Sequence, residues 1–366
     1  MPGRRHPAAR SPRPRPRPTP PRTGSPLRTA FPGAVPAALG LALLLAAAPA
    51  CSPAPQVRPE SAPPNRPAAV GPVDESPFWV DPQSDAARQV DAWEAQGRNS
   101  DAQVLRRISD RPMALWGPAG DPGPEIRRAR AGAGAAGRTM VLTAYNIPYR
   151  DCGRHSAGGA RDAAAYRAWI GAFADNIADH KAVVILEPDA IAHVVDGCTR
   201  ADHHDERFRL LSEAVDRLKR NKNTKVYLDA GNPAWIPDPA KLVGPLYRAG
   251  LERADGFALN VSNFQPSEAG RAYGAKISKA AKGKHFVIDT SRNGDGPLGG
   301  DRGQAWCNPP GRSLGAPPTD RTGDPLVDAY LWIKRPGESD GPCRGGPAAG
   351  RWWPDYALGL ARRSKG

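Results

Sequence analysis

A chain of 366 residues with 40% apolar and 24% charged residues can bury a full globular core, which excludes a stapled mini-protein. Its net charge of +14 invites a nucleic-acid reading, but eight arginines and no acidic residue fall in residues 1–50. The remainder carries 43 Lys and Arg against 37 Asp and Glu, a balance of +6 with no basic run, so no nucleic-acid partner is expected.

The Arg/Pro-rich opening leads into an apolar run from Ala37 to Ala48 and then Pro49-Ala50-Cys51, which reads as a secretory signal over residues 1–50. That run falls well short of the roughly 20 residues a membrane-spanning helix requires. Residues 51–76 are Pro- and Ala-rich and predict an extended linker, with the folded domain over residues 77–364. Cys51, at the end of the signal, is a candidate lipidation site that would tether the protein to a membrane; simple release after Ala50 is the alternative. Either way the expected location is extracellular. The other four cysteines, Cys152, Cys198, Cys307 and Cys343, permit three pairings, of which the sequential one closes the shortest loops. No CxxC pair or regular His spacing supports a metal.

Within the folded part, Ala87, Val90 and Trp93 recur at helical spacing over Asp85–Gln96. Seven short apolar runs then read as buried parallel strands: Ala114–Trp116, Met140–Ala144, Ala182–Leu186, Lys225–Leu228, Gly256–Leu259, His285–Ile288 and Leu331–Ile333. Helical patterns over Asp162–Asp179, Arg207–Arg220, Ala240–Leu251 and Glu268–Lys282 separate most of them. This alternation predicts an α/β fold, a distorted (β/α) barrel of about seven parallel strands, with a doubly wound open sheet as the alternative.

Polar residues cluster where these strands end. Tyr145 and Asp151 follow the second, Glu187 and Asp189 the third, Asp229 the fourth, and Asn260 and Asn263 the fifth. Asp289 and Arg292 follow the sixth, and Lys334, Glu338 and Asp340 the last. In a parallel barrel these ends converge on the face that carries the chemistry. Several carboxylates in one cleft cannot all ionise easily, so at least one should keep its proton and act as a general acid. Trp79, Trp235 and Trp306 stand beside the same motifs and suit stacking against sugar rings, so acid, base and aromatic platform together point to glycoside hydrolysis. An Asp after a strand is by itself as easily a helix cap, and a lone Trp a core residue.

Several segments resemble glycoside hydrolase family six, the inverting cellulases. They are Tyr145-Asn-Ile-Pro-Tyr-Arg-Asp-Cys152, Leu186-Glu-Pro-Asp189, Tyr227-Leu-Asp-Ala-Gly-Asn-Pro-Ala-Trp235, Asn260-Val-Ser-Asn-Phe264, Asp289-Thr-Ser-Arg-Asn-Gly294, Trp306-Cys-Asn-Pro309 and Lys334-Arg-Pro-Gly-Glu-Ser-Asp-Gly341, in the family's order. The resemblance runs from about Phe78 to Leu360 and includes cysteines placed as in the family's two disulfides. It implies Asp189 as proton donor, Asp151 as the aspartate that raises its pKa and orders the catalytic water, and Asp340 as the base, with a relay through a second water and Asp151 as one route. Tyr145 would press on a distorted sugar ring, and Lys334, Glu338 and Asp229 would hold hydroxyls. Trp79, Trp235 and Trp306 would line subsites, with Asn232, Asn260 and Asn263 also binding substrate. No cofactor is implied, the substrate would be a β-1,4-glucan, and a monomer is expected. Two positions depart from the family: Asn232 stands where His is usual and Phe264 where Tyr is common. The short stretches between paired cysteines imply an open cleft and endo-acting cleavage. A glucan-binding or wall-remodelling module of the same fold is the alternative function.

Overall fold

The structure, a computed structural model, describes residues 76–300 and 304–365. The signal segment, all but the last residue of the linker, and Cys51 lie outside the described residues. Two helices open the domain, α1 (Asp85–Ala95) and α2 (Asn99–Ser109). Seven strands follow: β1 (Leu115–Trp116), β2 (Met140–Ala144), β3 (Ala182–Leu186), β4 (Thr224–Asp229), β5 (Gly256–Leu259), β6 (His285–Asp289) and β7 (Val327–Leu331). Helices α3 (Gly123–Ala135), α4 (Ala163–Ile177), α5 (Ala192–Val195), α6 (His204–Lys219), α7 (Ala240–Arg248) and α8 (Ser267–Ala280) lie between strands, and α9 (Pro354–Arg363) closes the domain. Among the described residues no helix is long and apolar enough to cross a membrane.

All seven strands are parallel and pair in sequence order, so the sheet curls as a half-barrel. Its two edges meet through single bonds: the Ala114 N–H donates to the Trp332 carbonyl at 2.9 Å, and Trp116 Nε1 donates to the Ile333 carbonyl at 2.8 Å. Alternation within each strand divides the core. In β3, Val183 and Ile185 point into the barrel with Val141 and Tyr227, whereas Ala182, Val184 and Leu186 face the helices. Both faces are buried, which is why the strands read as unbroken apolar runs. A satellite core joins the two ends of the domain, with Trp93, Leu105 and Ile108 of α1 and α2 against Leu358 and Leu360 of α9.

Two helix starts follow from their caps: Ser84 accepts the Ala87 N–H at 3.2 Å, and Asp162 accepts the Ala165 N–H at 2.7 Å. The seventh strand corrects the sequence reading. It occupies Val327–Leu331 rather than Leu331–Ile333, because Trp332 leaves the sheet for the satellite core and Ile333 turns into the barrel mouth. The four cysteines pair sequentially, Cys152 with Cys198 and Cys307 with Cys343.

Candidate active site

A cleft of about 830 Å³ lies at the C-terminal ends of the strands. It brings together Tyr145, Asp151, Asp189, Asp229, Asn232, Trp235, Asn263, Trp306, Lys334, Glu338 and Asp340, all anticipated from sequence. Sharp turns after the strands place the two central carboxylates. Asp151 and Asp189 adopt left-handed backbone, with φ of 53° and 70°, a strained choice for residues with a Cβ. The loop after β2 also needs Gly159, at φ 94°, because a Cβ there would lie 1.9 Å from the Ile147 carbonyl oxygen.

Asp189 is the centre of the arrangement. Tyr145 donates its hydroxyl to Asp189 Oδ2 at 3.2 Å, and the Asp189 N–H donates to Asp229 Oδ2 at 2.8 Å. Burial pushes the Asp189 carboxyl up against the partial opposition of His193, and the charge of Asp151 pushes it further. Asp229, fully buried and next to the half-buried Asp189, is pushed up to about 8. On Asp151, Oδ2 accepts the Ser156 N–H at 2.6 Å.

Asp340 has the opposite environment. Burial alone would raise its pKa, but Arg292 and Lys334 outweigh it and hold the carboxyl below its ordinary value. Arg292, fully buried, donates to Asp340 Oδ2 at 2.8 Å, and the Asn308 N–H reaches the same oxygen at 3.0 Å. Lys334 Nζ is 3.6 Å from Oδ1. Burial lowers the Lys334 ammonium and raises the Glu338 carboxyl, which pairs with Arg335 at 2.5 Å.

Two anticipated residues lie outside the cleft. Trp79 lines a smaller cavity, where its indole takes the space a Cβ on Gly132 would fill and lies under Arg128, 5.8 Å from guanidinium carbon to ring centroid. Asn260 is buried behind the cleft and ties two loops together, donating to the Asp289 carbonyl at 2.8 Å and accepting the Gln265 N–H at 3.0 Å. Two of the strand-end carboxylates are backbone staples. Glu187 accepts the N–H groups of Asn146 and Ile147, and Asp289 accepts those of Ser262, Ser291 and Lys334, each at about 2.9 Å. The departures from the family pattern are accommodated. Asn232 accepts the Ala234 and Trp235 N–H groups at 3.1 Å and so shapes the turn that presents Trp235, while Phe264 is buried under the Arg292 guanidinium.

Sequence reasoning missed Trp116, His193 and Arg335, which also line the cleft. Trp116 was recoverable, since it ends β1 as the other site residues end or follow theirs; it stands edge-on to Tyr145, with centroids 5.4 Å apart. His193 and Arg335 carried no spacing signal.

The fold and the cleft define a class: a parallel α/β half-barrel with carboxylates and tryptophans gathered at its strand ends, the layout of a glycoside hydrolase. The family described as "Glycosyl hydrolases family 6" matches residues 73–364, and the chain belongs to it. It is 42% identical to Endoglucanase A of Cellulomonas fimi over 298 residues, covering 80% of this chain and 63% of that one. Endoglucanase 1 of Streptomyces halstedii is 44% identical, with 76% and 87% covered. The chain therefore spans less than two thirds of the first relative's length. The endoglucanase Cel6 from Mycobacterium tuberculosis, solved in complex with methyl-cellobiosyl-4-deoxy-4-thio-β-D-cellobioside, superposes with a TM-score of 0.73 at 43% identity, covering 80% of this chain and 98% of that one.

Proposed function

We propose that this protein is an exported endo-β-1,4-glucanase that hydrolyses cellulose-type glucans with inversion at the anomeric carbon. The observation that carries the reading is the contrast between two carboxyls lining one cleft: among the described residues the Asp189 carboxyl takes only the Tyr145 hydroxyl, whereas Asp340 is held by Arg292 at 2.8 Å with Lys334 at 3.6 Å. Asp189 is pushed towards its protonated form and Asp340 towards its anion, the separation that an acid–base pair requires. In this mechanism Asp189 gives its proton to the glycosidic oxygen as the C–O bond breaks. A water ordered by Asp151 adds to the anomeric carbon from the opposite face, and its proton passes to Asp340, directly or through a second water. Tyr145, hydrogen-bonded to the acid, presses on the ring being cleaved, while Trp116, Trp235 and Trp306 offer indole faces to neighbouring sugars. Lys334, Glu338 and Asp229 hold hydroxyls and loop backbone. The endoglucanase relatives and the glucan-like ligand in the Mycobacterium structure support the substrate class. Export is supported by the apolar run before Cys51 and by two disulfides, which persist in oxidising compartments. We extend the reading to a monomer tethered through a lipid on Cys51.

Reducing-sugar release from a soluble cellulose derivative tests the activity, with Asp189→Ala as control. Equal release by both proteins would sink the assignment, and a β-configured first product in proton NMR would overturn inversion. Recovery of wild type wholly in culture supernatant, unchanged by Cys51→Ala, would rule out the tether.

A further inference from the structure

His193 has no part in the chemistry above, yet it occupies an unusual place. It lies on α5, four residues after Asp189, is 4% exposed, and has no hydrogen-bond partner for either ring nitrogen. A buried imidazole normally has its nitrogens satisfied, and leaving both bare is costly unless something else occupies the space between them and their neighbours. The ring is fixed edge-on to Trp235, with centroids 4.8 Å apart. Nδ1 faces Asp196 Oδ2 at 3.6 Å and Nε2 faces Asp151 Oδ1 at 3.9 Å. One nitrogen of His193, one oxygen of Asp151 and one of Asp189 all lie within 4.8 Å of one another. On Asp151 the oxygen that faces His193 is Oδ1, while Oδ2 takes the Ser156 N–H; Asp189 accepts the Tyr145 hydroxyl on Oδ2 alone, which leaves carboxylate lone pairs on both residues.

We propose that Asp151, Asp189 and His193 form a binding site for a divalent transition-metal ion of the Zn²⁺ class, and that its occupation inhibits hydrolysis. One imidazole and two carboxylates form a donor set that suits such an ion, whereas Mg²⁺ and Ca²⁺ favour oxygen donors alone. With bonds of about 2.1 Å, tetrahedral ligand atoms stand roughly 3.4 Å apart, so the three groups need to close by about 1 Å or a little more. Side-chain rotation of Asp151 and Asp189 supplies that movement. Asp196 adds the outer carboxylate that orients a metal-bound imidazole through its second nitrogen. The sulfurs of Cys152 and Cys198 also lie within 4.8 Å of His193, but they are joined in a disulfide and offer no thiolate. The cation would be a reversible inhibitor, taking the Asp189 lone pair that must carry the proton. That inhibitory half rests on the role proposed for Asp189; the binding half does not.

Titration of the purified full chain with Co²⁺, read by its visible ligand-field absorption, tests binding directly, with Zn²⁺ expected to displace the signal. Wild type should show one saturable site that His193→Gln removes, and Asp196→Asn, which leaves all three ligands in place, should bind about tenfold more weakly. Absence of saturable absorption in wild type, or an unchanged titration in His193→Gln, would overturn the site. If His193→Gln does not fold, as judged by circular dichroism, Asp196→Asn decides: affinity equal to wild type counts against the site. In activity assays Zn²⁺ should inhibit wild type, Mg²⁺ at the same concentration should not, and His193→Gln should keep its own metal-free rate when Zn²⁺ is added. Metal that binds through His193 while hydrolysis continues undiminished would leave the site standing and refute Asp189 as the acid.

Discussion

Asp229 accepts the backbone N–H of Asp189 from a carboxyl group that is itself buried and pushed up to about 8. The aspartate at the end of β4 therefore fixes where the aspartate after β3 stands, and does so without needing a charge.

Asp189→Asn should keep the fold and lower hydrolysis by roughly 10²–10⁴-fold, because an amide cannot protonate the leaving oxygen. The Tyr145 hydroxyl and the Asp229 contact both survive the change. Reducing-sugar assays giving near-normal turnover would refute the role.

Asp229→Asn should flatten part of the pH dependence of stability. An aspartate at about 8 when folded and about 3.9 when unfolded keeps its proton longer in the folded state. Its contribution is thus fully present below about pH 4 and lost as pH rises through 8. The amide cannot ionise, so the melting temperature of the variant relative to wild type should climb between pH 5 and 8. Parallel curves would contradict this.

Arg292→Met should be severe. It strands the Asp340 carboxylate in a buried site, a loss of about 3–5 kcal/mol when one partner of such a pair is removed. The depressed Asp340 pKa makes the wild-type contribution present above about pH 4 and lost as pH falls below it, so the difference between the proteins should shrink in acid. Adding Asp340→Leu to Arg292→Met should restore much of the stability measured by denaturant unfolding, but none of the activity. Failure of the double variant to recover stability would show that the pair is not what holds this region.

Reduction should cost activity along with stability. Cys152 adjoins Asp151, Asn308 beside Cys307 holds Asp340, and the bridges span 46 and 36 residues, for which chain entropy suggests about 4 kcal/mol each. Activity that is undisturbed after complete thiol release would show that the loops hold their shape unaided.

Solution viscosity should fall early, well ahead of reducing-sugar release, if the cleft admits the middle of a polymer. Viscosity falling only in proportion to sugar release would indicate attack from chain ends.

Most of the barrel was legible because strands buried on both faces leave plain apolar runs. What escaped notice had a physical cause. Helix α3 contains Gly123, Gly132 and Gly134, poor helix formers, and it is held by packing of Ile126, Ala129 and Ala133 rather than by propensity. Helix α9 is short and begins at a proline. Strand β7 alternates buried and half-buried residues, so the eye goes to the more apolar residues after it. At the site the strand-end carboxylates do gather, but position after β3 alone does not separate Asp189, which faces the cleft, from Glu187 two residues earlier, which faces the backbone; only the family resemblance singled out Asp189. That distinction is set by the turn. Trp79 lies elsewhere for a complementary reason: its indole fills the space left open by Gly132 of α3.

The clasp between the ends of the domain bears on how the protein is made. The satellite core joins residues of α1 and α2 to α9, and the Ala114–Trp332 bond closes the seam beside it. During vectorial synthesis, α1 and α2 emerge more than two hundred residues before α9, the helix that packs on them. Until α9 arrives, Trp93, Leu105 and Ile108 lack the Leu358 and Leu360 side chains that cover them, a state prone to association. Nascent chains halted before Pro354 should accordingly depend on holdases and resist proteases poorly, because α9 supplies one side of the core it shares with α1 and α2.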